Sequence, residues 1–143
     1  METTLTALAR RLLAPPVVRG AALLALTSAY IAGGLAKAFD LEGATAEMAH
    51  FGLRPALGFA LGVIALELVA PALVLSGRLR WLGALALAGF TLLAMLLANR
   101  FWEMAGAERF AATNAFFEHL GLAGAFVLVA WHDLSSRADE EAS

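Results

Sequence analysis

The sequence predicts an all-α integral membrane protein, a bundle of four spanning helices with short amphipathic interfacial helices in its two long loops. Three observations predict it. Of the 143 residues, 61% are hydrophobic and 15% charged, against roughly half and about a quarter in a soluble domain. The apolar residues fall into four blocks, at 20–36, 57–75, 81–98 and 115–131, each near the length that crosses a bilayer core of about 30 Å at 1.5 Å per residue. The polar residues gather between the blocks, where lipid headgroups and water would receive them. An unpaired backbone is not tolerated in lipid, so each block is a helix.

Taken in chain order, residues 1–18 form an N-terminal interfacial segment. Leu5, Leu8 and Leu12 recur at helical spacing opposite Arg10 and Arg11, which suits a helix lying on the membrane surface. No short apolar stretch ends in a small-residue cleavage site, so this segment is read as retained. Residues 19–131 form one four-helix domain. Between its first two spans, "KAFDLEGATAEMAHFGLRPA" is long enough for a short amphipathic helix. Between the second and third lies only the basic turn "SGRLR". Between the third and fourth, "NRFWEMAGAERFAATN" reads as an interfacial or re-entrant helix, with Arg100 and Trp102 as interface anchors. Residues 132–143, "HDLSSRADEEAS", read as a polar, disordered tail.

Basic residues set the orientation. With the N-terminus inside, Arg10, Arg11, Arg19, Arg78, Arg80 and Arg137 are cytoplasmic, and Lys37, Arg54, Arg100 and Arg109 are outside. Both termini are therefore expected on the cytoplasmic side of the inner (plasma) membrane. Several function classes fall away. There is no cysteine, hence no disulfide, thiolate metal site or dithiol relay. A net charge of -2 does not suit nucleic acid. His50, His119 and His132 are scattered without metal-ligand spacing, and no metal site is expected.

The chemistry concentrates on Glu67, a lone carboxylate in the second block. A carboxylate at mid-span costs about 2.5–3.5 kcal/mol, so it faces the bundle interior and needs a partner. Pro71, four residues on, lacks an N–H and clashes with the Glu67 carbonyl, which predicts a kink and a polar notch at one residue. Glu67 lies about 12 Å from the inner end of its helix. Thr27, Ser28 and Tyr30 share that depth in the first span, and Phe90 and Thr91 in the third. Tyr30 is the expected hydrogen-bond partner. Lys37 lies at the outer mouth, too far for a direct salt bridge unless its stem bends inward. Asn114, Glu118 and His119 join Lys37 in an outer polar layer, and His119 is deep enough to relay protons through water. Gly58 and Gly62 form a GxxxG pair, and Gly33 with Gly34 allows another backbone to approach; all four are expected to pack within the bundle.

The order of these features resembles the DoxX family of small four-helix membrane proteins. The resemblance runs from about Arg19 to Trp131, on "GGLAKAFD", "FGLRPALGFALGVIALELVAPALVLSGRLR", "NRFWEM" and "NAFFEHLGLAGAFVLVA". Lys37, Pro55, Gly62, Glu67, Gly77, Arg80 and Asn114 stand where the family pattern places its recurrent residues. Glu118, His119 and Ala125 depart from it in the fourth helix. The resemblance implies association with sulfur or thiol redox systems, with quinone as a candidate ligand and a soluble redox enzyme as a candidate partner. Without cysteine, a quinone-facing or partner role fits better than thiol exchange. Three roles stay open: a redox membrane component with a Glu67-centred site, a non-catalytic anchor or assembly partner for a soluble enzyme, and, behind these, a small proton-linked transporter.

Overall fold

The computed structural model describes residues 3–142; the first two residues of the interfacial segment and the last of the tail lie outside it. Six α-helices follow one another: α1 Thr4–Leu13, α2 Pro16–Phe39, α3 Leu41–His50, α4 Ala56–Ser76, α5 Arg80–Ala98 and α6 Gly106–Glu141, with a 3-10 turn at Phe101–Glu103 before the last. Four of them, α2, α4, α5 and α6, are long and apolar enough to cross a membrane. No strand occurs among the described residues.

Local chemistry sets the boundaries. Thr3 caps α1 by accepting from the Thr6 N–H. Pro16 opens α2, where its missing N–H costs nothing and its φ suits a helix. Asp40 ends α2 and begins α3, its carboxylate accepting from the Gly43 N–H at 2.9 Å. α4 stops at Gly77, in the left-handed region at φ 78°. α4 runs as one continuous helix through Pro71, and Pro71 itself is buried.

The spans pack in the order α2, α4, α5, α6, with α3 laid against the start of α4. The main core is built from Leu23 and Tyr30 of α2, Ala70 and Val74 of α4, Ala84, Leu87 and Ala88 of α5, and Phe126 and Ala130 of α6. The Tyr30 ring meets Phe126 edge-on at 5.5 Å, which joins α2 to α6. Ala44, Met48 and Ala60 form a smaller cluster under α3. Outward faces carry Leu24, Leu61, Val69, Leu93, Val127 and Leu128, all exposed. In water such a surface would aggregate; in a bilayer it contacts lipid.

Of the glycines expected to bring helices together, Gly34 does so, Gly58 and Gly62 do not, and Gly83 joins it. Gly34 packs on Glu67 and Leu68, where an added Cβ would stand 3.0 Å from each side chain. Gly83 does the same for α4 and α5: its Cβ would lie 2.6 Å from the Ala70 carbonyl oxygen. Gly58 and Gly62, by contrast, are exposed on the outer face of α4 beside a shallow apolar hollow lined by Pro55, Phe59, Val63 and Leu66. A GxxxG spacing selects a face that permits close approach, but among the described residues no helix occupies it.

Two segments depart from the sequence expectation. The stretch expected as a separate interfacial helix before the fourth span divides into the 3-10 turn and the first turns of α6. The tail expected to be disordered continues α6 to Glu141. At 36 residues α6 is about 54 Å long, so it projects past a 30 Å hydrocarbon core. α1 is helical, with Leu5, Leu8, Leu12 and Leu13 exposed and Arg10 and Arg11 in its last turn.

Candidate functional site

Glu67 is 6% exposed and is held by Lys37, whose Nζ lies 3.1 Å from Oε2 and 3.3 Å from Oε1. This corrects the expected partner. Along α2, Tyr30, Gly33, Gly34 and Lys37 fall on one stripe at three- and four-residue spacing. Gly33 and Gly34 leave room on it: an added Cβ at Gly33 would sit 3.4 Å from Glu67 Oε1 and 3.5 Å from Lys37 Nζ. The direct pair has a geometric cause that depth arithmetic along the axis omits. Helical side chains lean toward their own N-terminus. α2 and α4 are consecutive spans running in opposite directions, so Lys37 leans down from the α3 end while Glu67 leans up toward it. A long aliphatic stem covers the remaining distance.

Tyr30 bonds elsewhere. Its hydroxyl is paired with that of Thr91 on α5, and Thr91 donates to the Leu87 carbonyl at 2.6 Å. Tyr30 and Thr91 stand level with each other and satisfy each other. Thr27, at the same level, donates to its own helix at Leu23.

Beside the pair opens a cavity of about 630 Å³, within the range of small-molecule sites. Its polar lining consists of Tyr30, Lys37, Glu47, Glu67, Thr91 and His119. The rest is mostly apolar, with Phe59 and Val63 from α4 and Phe90, Leu93 and Leu97 from α5. His119 is half-buried, and its Nδ1 lies 2.6 Å from the Ala115 carbonyl. Glu47, from α3, did not figure among the candidate residues; as a surface acid on a short helix it carried no distinguishing signal. Asn114 and Glu118 are exposed and outside the cavity lining. They occupy other faces of α6 than His119, so the expected outer polar layer is reduced to Lys37, Glu47 and His119. The site as a whole offers one ion pair and a few polar atoms on an apolar wall.

A second charged cluster lies at the opposite end of the bundle. Asp133 of α6, 7% exposed, accepts from the Trp81 N–H at the start of α5 at 3.3 Å and from Arg137 Nε at 3.1 Å. Arg80 Nη1 stands 3.7 Å from its other oxygen, while Arg80 Nε donates to the Val74 carbonyl at 2.8 Å. Arg137 also donates to the Gly77 carbonyl at 3.0 Å. The cluster caps the end of α4 and the start of α5 and ties both to α6. The Asp133–Arg137 spacing of four residues was the available signal.

A family model described as DoxX matches residues 21–100. The match spans more than half of the chain and includes Tyr30, Lys37, Glu67 and Thr91, while His119 and Asp133 fall beyond it. No curated protein and no solved structure matches the chain.

Proposed function

Because the chain belongs to the DoxX family, we propose that it is the membrane component of a redox system, whose cavity beside Lys37 and Glu67 receives a lipid-soluble quinone. One observation carries the reading: an ion pair between the buried Glu67 and the half-buried Lys37 forms part of the wall of an otherwise mostly apolar cavity inside a membrane bundle. Intramembrane charges are costly and ordinarily serve a ligand or ion pathway. A quinone has the matching anatomy, with an aromatic ring and isoprenoid tail for Phe59, Phe90 and Leu93 and oxygens for the polar edge. Lys37 is the donor that a ring oxygen would meet.

The test is extraction in native lipid, followed by quinone analysis of the purified protein. Wild type should retain quinone above the lipid background, and Lys37→Met should retain at least about fivefold less, the loss of the charge-assisted hydrogen bond that a quinone oxygen can accept. A quinone-free wild type would sink the proposal. The Lys37–Glu67 contact also joins α2 to α4, which favours a second reading as an anchor or assembly partner for a soluble enzyme. In that case Lys37→Met lowers the melting temperature, and retained quinone is at background in wild type and variant alike.

The basic turn between α4 and α5 supports insertion in the inner membrane with both termini cytoplasmic. The absence of cysteine makes this simple to check. In intact cells an impermeant maleimide should label Ala46→Cys on α3 and spare Ala138→Cys on α6. The reverse pattern would invert the orientation.

A further inference from the structure

Resting on the quinone reading above, the hydrogen-bond inventory of the cavity distinguishes the oxidised from the reduced form of its ligand. Thr91 has a single hydroxyl proton, and it goes to the Leu87 carbonyl. The Tyr30–Thr91 bond must then run from the tyrosine: Tyr30 O–H donates and Thr91 Oγ1 accepts. Tyr30 is left with lone pairs alone. His119 Nδ1 contacts a carbonyl oxygen, which can only accept, so Nδ1 carries the proton. Nε2, when it carries no proton, is then the acceptor of the ring. The Glu47 and Glu67 carboxylates accept only. Lys37 Nζ meets both Glu67 oxygens, at 3.1 and 3.3 Å, and keeps at least one of its three protons for a ligand.

The polar lining thus holds one donor group, Lys37, among several acceptors. A quinone carbonyl can take the Lys37 proton and leaves the acceptors unanswered. A hydroxyl can accept from Lys37 and also donate to Glu67, Tyr30 or His119. We infer that the cavity selects a hydroxyl-bearing head group, the hydroquinone in preference to the quinone. A site built from acceptors discriminates strongly against a ligand that lacks the matching donor.

The full chain, purified into nanodiscs of phosphatidylethanolamine and phosphatidylglycerol, would be dialysed anaerobically against decyl-benzoquinone and, separately, its hydroquinone. The hydroquinone should bind at least about tenfold more tightly, the worth of one added hydrogen bond. The midpoint of the bound two-electron couple should rise correspondingly by about 30 mV. Thr91→Val releases the Tyr30 proton to point at the ligand, so the preference should shrink to within about threefold, and Thr91→Ser should restore it. Tyr30→Phe gives an independent check, weakening hydroquinone binding more than quinone binding. Equal affinities, or tighter quinone binding, overturn the selectivity and leave the quinone reading intact. A preference untouched by both Thr91→Val and Tyr30→Phe overturns the hydrogen-bond assignment behind it. Binding of neither form overturns both.

Discussion

Lys37→Met should destabilise the bundle by about 3 kcal/mol, and the double replacement Lys37→Met with Glu67→Leu should recover most of that loss. Removing one member of a buried ion pair leaves the other without compensation, at a cost of several kcal/mol. Glu67 at 6% exposure has little water to fall back on, and Lys37 is the cation within reach. Exchanging both residues for apolar ones of similar size removes the desolvation penalty together with the attraction, and such exchanges are frequently neutral or stabilising. Gly33 and Gly34 sharpen the contrast. They hold the α2 backbone close to Glu67, so no rotation of α4 can carry the bare carboxylate to an aqueous surface without parting the two helices. Unfolding of the three proteins in mixed micelles, followed by helicity during an SDS titration, measures the differences. A double variant as unstable as the single would show that the pair is not stabilised by charge compensation. Quinone retention should separate from stability, since the double variant regains the fold without the donor.

Asp133→Ala should cost about 2–4 kcal/mol and loosen α6 beyond the membrane. Three losses combine. The N–H of Trp81 loses its acceptor at the start of α5, a helix-capping defect of about 1 kcal/mol. The largely buried Arg80 guanidinium loses its anion and retains only the Val74 carbonyl. Arg137 is nearly half exposed, so its bond to Asp133 adds little energy by itself, but it fastens the last turns of α6. Hydrogen exchange should therefore accelerate across residues 134–141 while the central spans stay protected. Asp133→Asn keeps an acceptor for the Trp81 N–H and should recover part of the loss. Unchanged exchange over 134–141 in the alanine variant would mean that the tail helix is held by something other than this cluster.

These two clusters show where sequence reasoning reaches and where it stops. Spans are written in runs of apolar residues, and a run of the right length has one solution in lipid. All four were legible, as was the α1 stripe of Leu5, Leu8 and Leu12 opposite Arg10 and Arg11. Depth was legible as well, because 1.5 Å per residue places Tyr30 and Thr91 level with each other. Pairing was not. Tyr30, Thr91 and Glu67 share a layer, and their azimuth around the bundle decides who meets whom. The tail misled for a related reason: "HDLSSRADEEAS" is polar by composition, yet Asp133 and Arg137 fall on the face turned toward the α4–α5 turn. Gly58 and Gly62 misled in the opposite sense, since spacing marks a face without saying whether a helix lies on it.

The sequence by itself determined that this chain is a four-span membrane bundle of the DoxX family, with one acid inside it that could not stand alone. Tertiary structure decided the rest. It chose Lys37 over Tyr30 as the partner of that acid, because two antiparallel helices lean their side chains toward each other. It also committed the Tyr30 proton to Thr91 and opened a cavity beside the pair. Hydrophobicity is a property of residues and can be summed along a chain. A hydrogen bond belongs to two atoms in one place, and only the packed helices bring them there.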